Sequence, residues 1–111
     1  MGLKLNNITT VTVATAGTRA QAQAASQYCI SVYVEALKTN TGVIYVGDIS
    51  VSATQYTAAL TAGSGFGIST DAQGKASGAY GGEFQLNSLY FDTSVSGSGV
   101  QVSYLTRVGP A

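Results

Sequence analysis

Few side chains in this 111-residue chain are suited to chemistry. Its five acidic residues are Glu35, Asp48, Asp71, Glu83 and Asp92. A glycoside hydrolase needs two carboxylates roughly 5 to 9 Å apart in a cleft. The strand pattern puts Glu35 and Asp48 on paired strands but on opposite faces, so they are poor partners. Asp48 and Asp92 follow apolar runs, and we expect both to end strands through side-chain to backbone hydrogen bonds.

Nucleophilic and metal chemistry lack their usual residues. The sequence has no histidine, which removes the base of serine and cysteine hydrolases and the commonest metal ligand. Cys29 is the single cysteine, and no basic neighbour lowers its thiol pKa, so we expect a buried structural residue. The glycine-rich segment 63–67 lacks the lysine of a phosphate-binding loop. The sequence predicts no catalytic residue, cofactor or metal, and no enzymatic activity.

The amino-acid composition argues against several classes of binding partner. Charged residues make up 9% of the chain, against roughly 25% in typical soluble domains. The net charge is +0 and the pI about 6.0, so there is no basic field for nucleic acid. No apolar run is long enough to span a membrane. The seven tyrosines suit either a sugar-stacking platform or protein contacts, and we favour protein contacts because tyrosine is enriched at interfaces.

The stretch from Tyr28 to Asp48 is the clearest structural signal. Two apolar runs with period-two spacing flank the segment Asn40-Thr41-Gly42. A three-residue loop there predicts a β-hairpin that pairs Ala36 with Val46, with Gly42 in the left-handed region. The residues predicted to face inward are Ile30, Val32, Val34, Ala36, Ile44 and Val46.

The same predicted register leaves an apolar outward face. This face carries Tyr33, Leu37, Tyr45 and Ile49, with Leu37 opposite Tyr45. An outer sheet face of a monomer is normally polar, so either another part of the chain or another copy should cover it. These four residues are therefore the candidate oligomer interface.

The rest of the chain predicts one domain of residues 8–111 preceded by an arm of residues 1–7. The arm is either flexible or an edge strand that docks on a neighbour. Residues 18–27 fit a short helix or a strand of small side chains, and we favour strand or extended chain. Residues 71–82 are predicted to form a long surface loop. Several short strands separated by glycine-rich turns predict an all-β fold, an antiparallel β-sandwich of jelly-roll-like or small-barrel form.

Several of these segments together resemble a family of small virion proteins of tailed bacteriophages. The similarity lies in the Thr-Val-Ala-Thr-Ala-Gly-Thr segment at 12–18, in Cys29 before a Ser-Val-x-Val-x-Ala strand, and in the run from Asn40 to Asp48 followed by Val51-Ser52. It continues in Leu89-Tyr-Phe-Asp-Thr-Ser and in the segment 95–105. The glycine-rich stretch 71–82 is longer than the family pattern requires.

The resemblance implies a β-sandwich that decorates or cements the capsid exterior, often as a trimer, without catalytic residues. The expected partners are further copies of the chain in a homotrimer and the major capsid protein, with no nucleic acid, membrane or small-molecule substrate. The protein would be made in the host cytoplasm and act on the virion. Candidate contacts with the capsid or a neighbour are Leu3, Leu5, Tyr80 and Phe84.

A second hypothesis is a carbohydrate- or receptor-binding module of a tail, neck or fibre. It predicts a concave site lined by aromatic residues.

Overall fold

Alternating apolar and polar residues form short antiparallel strands in the computed structural model, which describes residues 2–69 and 84–108. The strands are β1 (Gly2–Val13), β2 (Ala20–Gln21), β3 (Tyr28–Cys29), β4 (Ser31–Ala36), β5 (Ile44–Gly47), β6 (Ala58–Leu60), β7 (Gly65–Ser69), β8 (Phe84–Gln85), β9 (Tyr90–Thr93) and β10 (Ser98–Val108). A 3₁₀ turn, Leu86–Ser88, joins β8 to β9. No α-helix occurs among the described residues, which confirms the all-β prediction.

Two four-stranded antiparallel sheets pack against each other as a small β-sandwich. The first sheet has the strand order β1-β10-β4-β7, and the second has the order β2-β9-β5-β6. Strands β3 and β8 form a separate two-stranded ribbon. The first sheet contains the two longest strands, β1 and β10, which pair along most of their length.

The core lies between the inward faces of the two sheets. Period-two alternation puts Val32, Val34 and Ala36 of β4 and Ile44 and Val46 of β5 into this core, as the sequence predicts. The other buried apolar residues are Val13, Ala22, Cys29, Leu60, Leu86, Leu89, Phe91, Val100 and Val102. Burial of these side chains is the main term that holds the two sheets together.

The predicted hairpin between β4 and β5 is wrong, because the two strands belong to different sheets. Strand β4 has β10 on one edge and β7 on the other, so it has no edge left for β5. The predicted inward residues within β4 and β5 were still right, since facing strands of a sandwich satisfy the same alternation as neighbours in one sheet. Ile30, also predicted inward, lies before β4 and is only half-buried. The chain leaves the first sheet at Leu37, whose N–H donates to the Gly99 carbonyl at 3.1 Å.

Side-chain hydrogen bonds and close packing fix this crossover instead of a tight turn. Asn40 bonds the backbone of Gly99 twice: its Nδ2 donates to the carbonyl oxygen at 2.8 Å, and its Oδ1 accepts from the N–H at 3.0 Å. Gly42 does not have a positive φ, contrary to the prediction. A Cβ at Gly42 would lie 2.6 Å from Ser94 Oγ and 2.7 Å from Val95 Cγ2, so this glycine is needed for close approach.

Residues 2–7, which the sequence separates as an arm, form the first half of β1. They pair with β10 in an unbroken register up to Ile8, and a β-bulge interrupts the pairing between Ile8 and Val11. After β1 the chain turns at Ala16-Gly17, with Gly17 at a φ of 91°. Of the segment 18–27, only Ala20–Gln21 is a strand.

A loop of the chain itself covers part of the second sheet's outer face. Residues 49–53 belong to this loop between β5 and β6. Val51 is buried at 2% exposure, and its Cγ2 would lie 3.1 Å from a Cβ at Gly47. The loop closes where the Thr57 N–H donates to the Val46 carbonyl at 2.7 Å. Own-chain cover is one of the two explanations that the sequence left open for an apolar outer face.

Candidate interaction surface

The outer face of the first sheet is formed by the outward-facing residues of β1, β10 and β4. Alternation along β10 and β4 turns Gln101, Ser103, Tyr33 and Glu35 outward, because their neighbours Val100, Val102, Val32 and Val34 face the core. Strand β1 adds Asn7 and Leu5 to this face, opposite Ser103 and Leu105. Glu35 of β4 contributes a carboxylate to this face.

Tyr33 is the aromatic centre of this face. It pairs with Gly67 of β7, and its ring lies across both Gly67 and Gly65, which have no side chains to displace it. A Cβ at Gly65 would overlap the Tyr33 hydroxyl, whereas a Cβ at Gly67 would lie 3.7 Å from Tyr33 Cδ1. The ring is therefore supported from below by backbone and still 49% exposed.

Two shallow depressions adjoin each other on this face. The larger, about 330 Å³, is lined by Asn7, Tyr33, Glu35, Gln101, Val102 and Ser103. The second, about 280 Å³, lies between Glu35 and Gln101 on one side and the segment 36–39 on the other. Glu35 and Gln101 line both depressions, so an amide, a carboxylate and an aromatic ring converge within one patch.

Sequence reasoning missed Asn7, Gln101 and Ser103 as surface residues of this patch. Gln101 and Ser103 alternate with Val100 and Val102, so their outward direction was readable. Their position beside Tyr33 was not, because the predicted neighbour of β4 was β5 and not β10.

The acidic residues do not form a catalytic pair among the described residues. Glu35 lies on the first sheet, and Asp48 follows β5 of the second. Asp92 is buried in β9, where its Oδ1 accepts hydrogen bonds from the Gly17 N–H at 2.9 Å and the Thr93 N–H at 2.8 Å. Backbone bonding by Asp92 is as predicted, although it lies inside the strand. Asp71 and Glu83 lie outside the described residues.

Asp48 forms the predicted turn at the end of β5. Its Oδ1 accepts from the Ser50 hydroxyl at 2.6 Å and from the Ser50 N–H at 2.9 Å. The hydrogen bond from the Ser50 side chain is the largest cause that lowers the pKa of Asp48 below its ordinary value of 3.8, followed by the Ser50 backbone bond. This carboxylate is exposed and serves the local turn.

Cys29 is 1% exposed and belongs to the core cluster, which fits the predicted structural role. No group of three or more potential metal ligands occurs in the described part of the chain. No helix within residues 2–69 and 84–108 is long and apolar enough to cross a membrane.

The four residues predicted as one oligomer interface do not share a face. Tyr33 lies on the first sheet, and Leu37 lies where the chain continues beyond it. Leu37 packs against Gly99, because a Cβ added to that glycine would lie 2.9 Å from Leu37 Cδ1. Tyr45 lies on the second sheet, where its ring packs against Tyr56 with centroids 5.2 Å apart. Ile49 is 64% exposed in the covering loop. The predicted juxtaposition of Leu37 and Tyr45 is therefore wrong.

The four predicted contact residues have different environments. Leu5 is 65% exposed on β1, and Leu3 of the same strand pairs with Arg107 of β10. Phe84 pairs with Cys29 and packs against the protein's own core, so it offers little free surface. Tyr80 lies outside the described residues.

A smaller cavity of about 150 Å³ lies between the two sheets near their β6 and β7 edges. Its lining is mainly apolar and includes Val46, Ile68, Phe84 and Leu89. Asp48 reaches its rim, but the hydrogen bonds from Ser50 already engage that carboxylate. The cavity brings together no set of groups for catalysis.

Comparison with protein-family models, with curated proteins and with solved structures finds no match to this chain.

Proposed function

We propose that this chain is a non-enzymatic structural protein of a tailed-bacteriophage virion that decorates the capsid exterior. It would bind the major capsid protein and further copies of itself, and the family resemblance implies a trimer. The observation that carries the proposal is the outer face of the first sheet, which presents an exposed tyrosine and leucine with a single carboxylate. A surface of this kind buries few charges on contact, so little desolvation opposes association.

Tyr33 is the expected anchor of the capsid contact. It is the kind of large amphipathic side chain that dominates binding energy at interfaces. Its support by Gly65 and Gly67 means that little side-chain entropy is lost when a partner covers it. Several copies bound to one capsid would add their weak single contacts into firm attachment.

The test is co-sedimentation with heads assembled from the major capsid protein encoded in the same genome. The wild-type chain should sediment with the heads, and Tyr33→Ala should reduce the bound fraction about tenfold or more. Tyr28→Ala is the matched control, because Tyr28 is also 49% exposed but lies on the β3–β8 ribbon. Wild-type protein that stays in the supernatant, or equal loss in both variants, would reject the capsid role of this face.

The two depressions favour one second candidate, a glycan- or receptor-binding module of the virion tail. A ring beside a carboxylate and amide groups can pack against a sugar ring while the polar groups bond its hydroxyls. Calorimetry with a panel of bacterial surface polysaccharides tests this function. Binding lost in Gln101→Ala and Tyr33→Ala, without attachment to heads, would replace the first proposal by the second.

A further inference from the structure

The free edge of β1 is the longest unpaired strand edge among the described residues. The other outer strands are short: β7 has five residues, β6 has three and β2 has two. Strand β1 has twelve residues and pairs only with β10 within the described chain. Proteins usually protect long edges, because the unpaired N–H and C=O groups are a template for another strand.

The hydrogen-bond directions of β10 show which groups β1 presents at this edge. The carbonyls of Gly99 and Leu105 accept from Leu37 and Ile30, on the β4 side. Backbone groups alternate between the two edges of a strand, so the odd-numbered residues of β10 point to β4 and the even-numbered residues point to β1.

Even residues of β10 pair with even residues of β1 up to the bulge, as in Thr106 with Lys4 and Tyr104 with Asn6. The even positions of β1 are therefore bonded to β10. The backbone N–H and C=O groups of Leu3, Leu5 and Asn7 point outward.

The straight part of this edge has a natural centre at Leu5. It runs from Gly2 to Ile8, where the bulge begins, and Leu5 is its middle residue. Leu5 is also the most exposed of the large hydrophobic residues described, at 65%. Its side chain lies next to Leu105 on the outer face of the first sheet.

We propose that two copies of this chain pair antiparallel through β1, with Leu5 opposite Leu5 of the partner subunit on a two-fold axis. In this register, the residues whose backbone groups point outward lie opposite each other in the two copies. Residue 3 lies opposite residue 7 of the second copy, and residue 5 lies opposite its equivalent. Each such pair exchanges both N–H···O bonds. The two first sheets join into one continuous eight-stranded sheet, and the leucine pairs of both copies form one apolar row across it.

Charge and geometry select this register over its neighbours. Lys4 is the single charge within Gly2–Ile8, and the proposed pairing places it opposite an asparagine of the second copy. A shift of two residues in one direction would put the two Lys4 ammonium groups opposite each other, which is unfavourable. A shift in the other direction would run the paired segment into the bulge.

The pairing concerns the self-association named in the proposed function, but it rests only on sheet topology. It closes with two copies, whereas the family resemblance implies three. A dimer that ignores heads would leave this inference standing and reject the capsid role. Attachment to heads by a chain that is monomeric or trimeric would support the capsid role and reject this inference.

Sedimentation equilibrium of the full chain over a wide concentration range tests the inference. The wild type should show a monomer–dimer equilibrium, and Leu5→Glu should weaken dimerisation about tenfold or more, because two carboxylates would then face each other on the axis. Asn7→Pro should also weaken it, since proline removes an outward N–H and no bond to β10. Ile49→Glu is the matched control, at 64% exposure on the loop over the second sheet, and should leave the dimer unchanged.

Cross-linking tests the register directly. Across a hydrogen-bonded antiparallel pair the Cα atoms are about 5.5 Å apart, within the range a disulfide spans. Oxidised Leu5→Cys should therefore give covalent dimers, while Lys4→Cys should not, because its own equivalent lies two positions away. The native Cys29 is buried and should not contribute. A monomer or trimer mass at all concentrations, or a dimer that is indifferent to Leu5→Glu, would overturn the inference.

Discussion

Asn40 fixes the crossover between the two sheets, just as a tight turn fixes the two strands of a hairpin. Its side-chain amide bonds both backbone groups of Gly99, 59 residues away, and so ties the crossover between the sheets to the start of β10. Gly99 is buried, so its N–H would lack a partner without Asn40.

Asn40→Ala should destabilise the protein by about 1–3 kcal/mol, the usual cost of leaving a buried backbone group unsatisfied. Urea unfolding followed by circular dichroism measures the change. The control is Gln23→Ala, which removes only an exposed local bond to Ala25 and should stay within about 0.5 kcal/mol of wild type. Equal effects of the two substitutions would show that Asn40 does not fix the crossover.

Gly42 illustrates a glycine that is required for space and not for backbone freedom. Gly42→Ala should cost about 1–3 kcal/mol, because the added methyl group meets Ser94 and Val95 at less than 3 Å. Gly67→Ala is the control, since its Cβ would meet Tyr33 at an ordinary 3.7 Å. Thermal unfolding of both variants compares them, and an unchanged midpoint for Gly42→Ala would contradict the packing described here.

Asp48 should titrate below its ordinary pKa of 3.8, because the Ser50 hydroxyl and N–H stabilise the carboxylate. The native pKa is lowered relative to the unfolded chain. The contribution to stability is therefore present above pH 3.8 and lost as the pH falls through the native value. NMR titration of the Asp48 carboxyl should show the midpoint rising in Ser50→Ala, which keeps only the backbone donor. A midpoint that Ser50→Ala leaves unmoved would assign the shift to another cause.

For the strands, the sequence predicted which side faces the core better than it predicted which strands are neighbours in a sheet. The alternation of Val32, Val34 and Ala36 correctly predicted the inward side of β4. Nothing in a local pattern distinguishes a hairpin from a crossover between two sheets, because both bury the same alternate residues. The decisive contact, Asn40 with Gly99, is too distant in sequence for a turn rule to detect.

For the candidate surface, the sequence likewise identified individual exposed residues but not which of them lie together. Tyr33 and Leu5 were both singled out as contact residues, and both are exposed. Their grouping was not predictable, since Tyr33 was placed with Tyr45. It shares a face instead with Gln101 and Ser103 because β10, not β5, is the neighbour of β4.

The alternation of hydrogen bonds along β1 makes a prediction of its own. In dilute protein, amide exchange measured by NMR should be slow at Lys4 and Asn6, which bond to β10, and fast at Leu3, Leu5 and Asn7. At concentrations that favour the dimer, the fast amides should become protected and the slow ones should change little. Uniform exchange along residues 3–7 in dilute protein would contradict the assigned directions of these groups.

For the molecule as a whole, the two outer faces of the sandwich differ. The second sheet is partly covered by the chain's own loop, with Val51 over Gly47 and Tyr56 against Tyr45. The outer face of the first sheet has no such cover within the described residues, and it continues directly into the free edge of β1. One face and one edge are thus available for a capsid and for a second copy at the same time.

Oxidative footprinting of the protein bound to heads tests whether the outer face of the first sheet contacts the capsid. Tyr33 and Tyr56 are equally exposed, at 49%, on opposite faces of the sandwich, so each serves as the reference for the other. Tyr33 should lose its reactivity on attachment while Tyr56 keeps it. Protection of Tyr56 with a reactive Tyr33 would contradict this contact.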